Sequence, residues 1–108
     1  MTETVIRVDD QVVTFINVFD VDPSKQQELI AILNEGAEKV MRHRPGFISV
    51  NVLAGADGTR VVNLAQWRTP DDLRATAGDP EAQVFAKRAA EIAKAAPQPY
   101  KVVSVYHA

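Results

Sequence analysis

The run from Asp57 to Trp67, DGTRVVNLAQW, constrains the fold of this chain more than any other stretch. An Asp-Gly turn leads into a segment whose side chains alternate between the two faces of a strand. Thr59, Val61, Asn63, Ala65 and Trp67 fall on one face, and Arg60, Val62, Leu64 and Gln66 on the other. The first face carries an amide and the only tryptophan of the chain where a plain core strand would carry aliphatics. This pattern predicts a small cavity built around Asn63 and Trp67.

Turn residues divide the rest of the chain. Residues 1–11 read as a flexible N-terminal arm, and residues 12–108 as one domain, the size a 108-residue chain supports. Val12 to Phe19, VVTFINVF, has the β-branched and aromatic content of a strand. Asp22-Pro23 supplies an N-cap and a first-turn proline for a long helix reaching to about His43. Its apolar stripe runs through Leu29, Leu33, Gly36/Ala37 and Val40, and Pro45-Gly46 stops it. Phe47 to Leu53 is a second strand, joined to the third by the tight turn Gly55-Ala56-Asp57-Gly58. Thr69-Pro70 opens a short helix ending near Gly78. Asp79-Pro80 opens another that stops before Pro97, and Tyr100 to His107 alternates as a last strand.

The order β-α-β-β-α-β is that of the ferredoxin-like split β-α-β arrangement, an α+β fold with a four-stranded antiparallel sheet and its helices on one face. The first and third strands are then central neighbours. A register with Asn17 opposite Asn63 also sets Val13 opposite Trp67 and Phe15 opposite Ala65. Helices cover only one side of such a sheet, which leaves Ile16, Val18, Val62 and Leu64 facing water. A two-fold homodimer with sheets packed face to face is expected.

Composition narrows the function. A net charge of −2 gives no electrostatic footprint for nucleic acid. No apolar run approaches the roughly 20 residues that cross a bilayer, and the N-terminus lacks a signal-peptide core, so no membrane partner and a cytoplasmic location are expected. The absence of cysteine removes disulfides and thiolate chemistry. His43 and His107 have no metal-ligand neighbours at useful spacing and read as a helix-end and a strand-end residue, so no metal is expected. Asp71, Asp72 and Asp79 read as helix starts. That leaves Asn17, Asn63 and Trp67. A buried amide without partners costs about 1–3 kcal/mol. Either the two amides bond each other or backbone groups with Trp67 as core, or amide and indole N–H donors face the oxygens of a bound ligand.

The runs TFINVF with Asn17, PGF at Pro45 to Phe47, and DGTRVVNLAQW resemble the antibiotic biosynthesis monooxygenase family, over nearly the whole chain from Val12 to the last strand. Within it they are most similar to the small cofactor-independent oxygenases of aromatic polyketide pathways, which convert anthrones to anthraquinones. The resemblance implies a dimeric ferredoxin-like α+β barrel, a small aromatic substrate with O2, and no cofactor. It implies that Asn63 and Trp67 line the site, with Asn17 doing so in one subgroup. Leu73 stands where some relatives carry a tyrosine, and only Lys87 and Arg88 lie near a basic position used by others. The Asn–Asn–Trp version of the site is therefore expected, with Phe15, Phe19, Leu33, Phe47, Ala65, Leu73 and Phe85 as substrate-binding walls.

Such a sparse site suits a substrate that supplies its own reducing power, through an aryl enolate that passes an electron to O2. Two other readings share the fold. A haem-degrading relative needs an axial histidine on the helix after the tryptophan, and Leu73 to Gly78 contains none. A quinol monooxygenase acting on a smaller phenol, or a non-catalytic dimeric binding module, has no distinguishing residue.

Overall fold

The computed structural model, which describes residues 2–8 and 11–108, builds the chain around two central antiparallel strands. β1 (Val13–Val21) and β3 (Arg60–Trp67) are flanked by β2 (Phe47–Ala54) and β4 (Ala93–Tyr100) in the order β2-β3-β1-β4. All three pairings are antiparallel. Helices α1 (Gln26–Lys39), α2 (Pro70–Ala77) and α3 (Pro80–Ala90) complete the ferredoxin-like order. Asn17 pairs with Asn63, Val13 with Trp67 and Phe15 with Ala65, the register offered by the sequence as a possible one. No helix among the described residues is long and apolar enough to cross a membrane.

Turn chemistry fixes the ends of these elements. Asp22 accepts from the Ser24 N–H at 2.9 Å and opens a 3-10 turn over Pro23–Lys25 ahead of α1. The expected single helix to His43 is three pieces, because Val40 leaves helical geometry (φ −123°, ψ −64°) and a second 3-10 turn covers Met41–His43. Gly58, at φ +83°, closes the β2–β3 hairpin in the left-handed region that favours glycine. Buried Gln26 donates to Gly55 O and Arg60 O, both at 3.0 Å, and so ties the start of α1 to that hairpin.

The last strand is a correction. It spans Ala93–Tyr100, AKAAPQPY, rather than Tyr100 to His107, and α3 ends at Ala90 instead of running on towards Pro97. The alternation after Tyr100 is a real local strand signal, but pairing with β1 from Val21–Ala93 to Thr14–Tyr100 outweighs it. Two prolines are tolerated because β4 is an edge strand. Val103 and Tyr106 beyond it are 82% and 91% exposed.

The core gathers at the hairpin end of the sheet, where Phe19, Val21, Leu29, Ile32, Val61 and Ala89 pack together. On the opposite face, the Gln66 amide donates to Val5 O at 2.8 Å and accepts from the Ser49 hydroxyl at 2.7 Å. Asn51 is bonded to Thr4 and Ser49 in the same network. Of the expected arm over residues 1–11, Met1, Asp9 and Asp10 lie outside the described residues.

Candidate functional site

Small side chains leave space where the sheet runs on beyond the core. Ala65 on β3, Ala95 on β4, Ala37 on α1 and Ala82, Ala86 and Ala89 on α3 face one another across a cavity of about 380 Å3. That volume lies within the range of about 300–1,000 Å3 usual for small-molecule sites. The α3 alanines recur at helical spacing, so the face that helix turns to the cavity is thin, with Ala82 and Ala89 buried and Ala86 exposed. Gly36 brings α1 close: a Cβ there would stand 3.2 Å from Phe85 Cγ.

Nine of the ten expected site residues line this cavity: Asn17, Asn63, Trp67, Phe15, Phe19, Leu33, Ala65, Leu73 and Phe85. Phe47 is the exception. Its ring meets Trp67 edge-on, at 5.7 Å between centroids and 82° between planes, so it braces the indole from outside the wall. Trp67 itself is only 2% exposed. Both asparagines sit next to the core end of the sheet on the way to the cavity, since Val61 comes two residues before Asn63 on β3 and its partner Phe19 two residues after Asn17 on β1.

The two amides do not satisfy each other. Asn17 Oδ1 accepts from the Ala96 N–H at 3.1 Å, which ties its side chain to the edge strand beside Pro97. Asn63 Oδ1 accepts nothing, and among the described residues it is the one buried side-chain nitrogen or oxygen without a hydrogen-bond partner. Rotating that amide by half a turn would exchange its acceptor for its NH2 donor at the same place. Since an unpaired buried group of this kind costs about 1–3 kcal/mol, Asn63 is an unfilled half of a hydrogen bond.

Among the described residues, no Asp, Glu, His, Lys, Arg, Tyr or Cys lines the cavity. His43 is exposed in the 3-10 turn after α1, and His107 lies in the tail beyond β4; neither reaches the wall. Lys87 is exposed. Arg88 spans the outside of the helical layer, donating to Glu35 Oε2 at 2.5 Å, with its guanidinium 5.3 Å from the centre of the Phe85 ring. That hydrogen bond and the charge behind it hold the Glu35 carboxyl below its ordinary range.

Several wall residues escaped the sequence reading. Met41, Thr76, Gln83 and Pro97 line the cavity, and Thr76 is only 3% exposed. A signal existed for the helical wall, since alanines at three- and four-residue spacing on an amphipathic helix mark thin packing. Pro97 has none, because the strand signal in the sequence lies beyond it, over Tyr100 to His107.

Residues 12–88 match the sequence profile of the antibiotic biosynthesis monooxygenase family. The chain belongs to the antibiotic biosynthesis monooxygenase family. Within it, the chain is 47% identical over 70 residues to tetracenomycin-F1 monooxygenase of Streptomyces glaucescens, a match that covers 65% of this chain and 62% of that protein. Similar solved structures include a variant of SnoaB, a cofactor-independent oxygenase from Streptomyces nogalater. It has a TM-score of 0.77 at 21% identity, over 88% of this chain and 96% of that one. A putative antibiotic biosynthesis monooxygenase from Nitrosomonas europaea gives 0.77 at 18% identity, over 91% and 96%. At these identities the structures establish the shared family fold.

Proposed function

We propose that this family member is a cofactor-independent monooxygenase that uses O2 to oxidise an aromatic polyketide anthrone, or a related phenol, to a quinone. The observation that carries this reading is the unpaired Asn63 Oδ1 beside Trp67, in a largely apolar cavity that no ionisable side chain among the described residues lines. The similarity to a tetracenomycin-F1 monooxygenase supports the same substrate class.

Loss of a proton from the methylene carbon opposite the carbonyl gives an aryl enolate. One electron passes from it to O2, and the resulting carbon radical and superoxide combine in a new C–O bond. The peroxide takes up a proton. Loss of the second C–H proton then breaks the O–O bond, releasing water and leaving the second carbonyl. Anthrone plus O2 thus becomes quinone plus water, and the methylene carbon supplies all four electrons. Asn63 and Asn17 hydrogen-bond the enolate oxygen, Trp67 stacks on or donates to the rings, and the aromatic walls exclude water. With no base in the wall among the described residues, the first proton leaves through the acidity of the substrate itself or to water.

Oxygen uptake with dithranol tests the reading. One O2 should disappear for each quinone formed, before and after exhaustive dialysis against a chelator. The acid limb of the rate profile should move with the pKa of the anthrone supplied. Absence of uptake with any anthrone would sink the proposal.

The active unit in this reading is a homodimer closed through the uncovered sheet face. Ile16, Val18, Val62 and Leu64 remain partly exposed there, and Leu53, opposite Val62, is 51% exposed. Sedimentation should give a dimer at micromolar concentration, shifted towards monomer by Leu64→Asp, which would set a charge in the middle of that face. A stable wild-type monomer would refute it.

A further inference from the structure

Polar groups in the cavity wall fall into two sets on opposite sides. Asn17, Asn63 and Trp67 rise from the sheet, whereas Thr76 and Gln83 belong to the helical layer. Gln83 is exposed and its amide reaches Ala77 O only at 3.5 Å. Thr76 differs. It is buried on α2, one turn beyond Leu73, and it carries the one hydroxyl among the described residues of the wall.

The surroundings of that hydroxyl give it a direction. Arg44 Nε donates to Thr76 Oγ1 at 3.3 Å. The guanidinium is held from behind by Asp79, whose Oδ1 lies 3.6 Å from Arg44 Nη1 and whose Oδ2 caps α3 by accepting from the Ala82 N–H at 3.1 Å. Arg44 is itself outside the wall, so it acts on the cavity only through Thr76. A hydroxyl that accepts from a cation has its oxygen occupied on that side and its O–H free to donate, strengthened by the charge on its partner.

We infer that Thr76, oriented by Arg44, is a specificity-determining residue that donates to a second oxygen on the substrate, across the cavity from the oxygen held by the asparagines. The inference rests on the quinone-forming reading for the ring system and adds a requirement to it: the ligand is a fused-ring aromatic carrying a hydroxyl or carbonyl on an outer ring. An unsubstituted polycycle leaves the Thr76 hydroxyl unpaired in an apolar wall. Arg44 is a positioning residue, since it touches Thr76 and not the ligand.

The test uses stable quinones as ligands, so that it reads recognition without turnover. Trp67 is the only tryptophan, and quenching of its fluorescence reports occupancy of the cavity. Dissociation constants are measured for anthraquinone and for a series of anthraquinones hydroxylated at successive outer-ring positions. Thr76→Val, which keeps the shape and removes the hydroxyl, is expected to weaken at least one hydroxylated ligand about tenfold while leaving anthraquinone within about twofold, the size of one neutral hydrogen bond. Thr76→Ser should restore most of the difference, and Arg44→Met should lose part of it with the same ligand selectivity. Equal weakening of all ligands by Thr76→Val, no weakening of any, or no binding to the wild-type protein would overturn the inference. Oxygen uptake by the wild type with dithranol is measured in parallel. An inactive protein that still shows the ligand-selective loss would fail as a monooxygenase and not as a binder of oxygenated polycycles.

Discussion

Asn63→Ala is expected to lower kcat/KM for anthrone oxidation by about 10²–10³, the usual loss on removing one oxyanion donor, with the fold undisturbed. Two effects of the substitution have opposite signs. The side chain leaves the place where negative charge develops, so the enolate loses a preorganised dipole in an environment of low dielectric. The resting protein loses a buried oxygen that had no partner, so folding sheds a desolvation penalty and no bond is broken. Activity should therefore fall while thermal stability holds or rises slightly. Few buried polar residues behave this way, because most are paired and their removal strands a neighbour. Thermal melting and steady-state oxygen uptake on the same preparation check it. A variant that is clearly less stable but equally active would make Asn63 a structural amide.

Parity made much of this site readable before any coordinates. A strand has period two, so assigning Val61 to the core places Asn63, Ala65 and Trp67 on the same face whatever the details of the turn. The Asn17–Asn63 pairing is one possible register of the central strands, since parity fixes faces and not register, and it is the pairing found. What stayed hidden depends on distant partners. Intrinsic preference points to Tyr100 to His107 as the final strand, since Val102 to Tyr106 has more of it than AKAAPQPY. An edge position beside β1 nevertheless accepts prolines that an interior strand would not. That shift of seven residues also hid the Ala96 N–H that holds Asn17 and the Pro97 ring in the wall. Phe47 is expected in the wall but braces Trp67 from outside it, since that edge-on contact depends on ring orientation. Thr76 and Arg44 lie 32 residues apart and meet only through the packing of α2 against the segment between the 3-10 turn and β2.

Trp67 should separate packing from chemistry in the opposite way to Asn63. The indole is almost wholly buried, and it is the partner against which Phe47 packs. Trp67→Ala removes that surface and leaves a hole continuous with the existing cavity, a change expected to cost about 3–5 kcal/mol of stability. Within that sum, the edge-to-face pair itself is worth about 0.5–1.5 kcal/mol beyond its buried area. Loss of activity in the alanine variant would thus report a damaged fold as much as a missing group. Trp67→Phe is the informative variant, because a second phenyl ring can keep much of the contact with Phe47 while the N–H and the wider ring system are lost. Its melting temperature should fall far less than that of the alanine variant. Its kcat/KM should still fall by at least about tenfold if the indole donates to or stacks on the polycycle, since a tenfold change corresponds to about 1.4 kcal/mol of transition-state binding. Full activity in Trp67→Phe would reduce the residue to a wall, and the catalytic assignment would pass to the two asparagines alone.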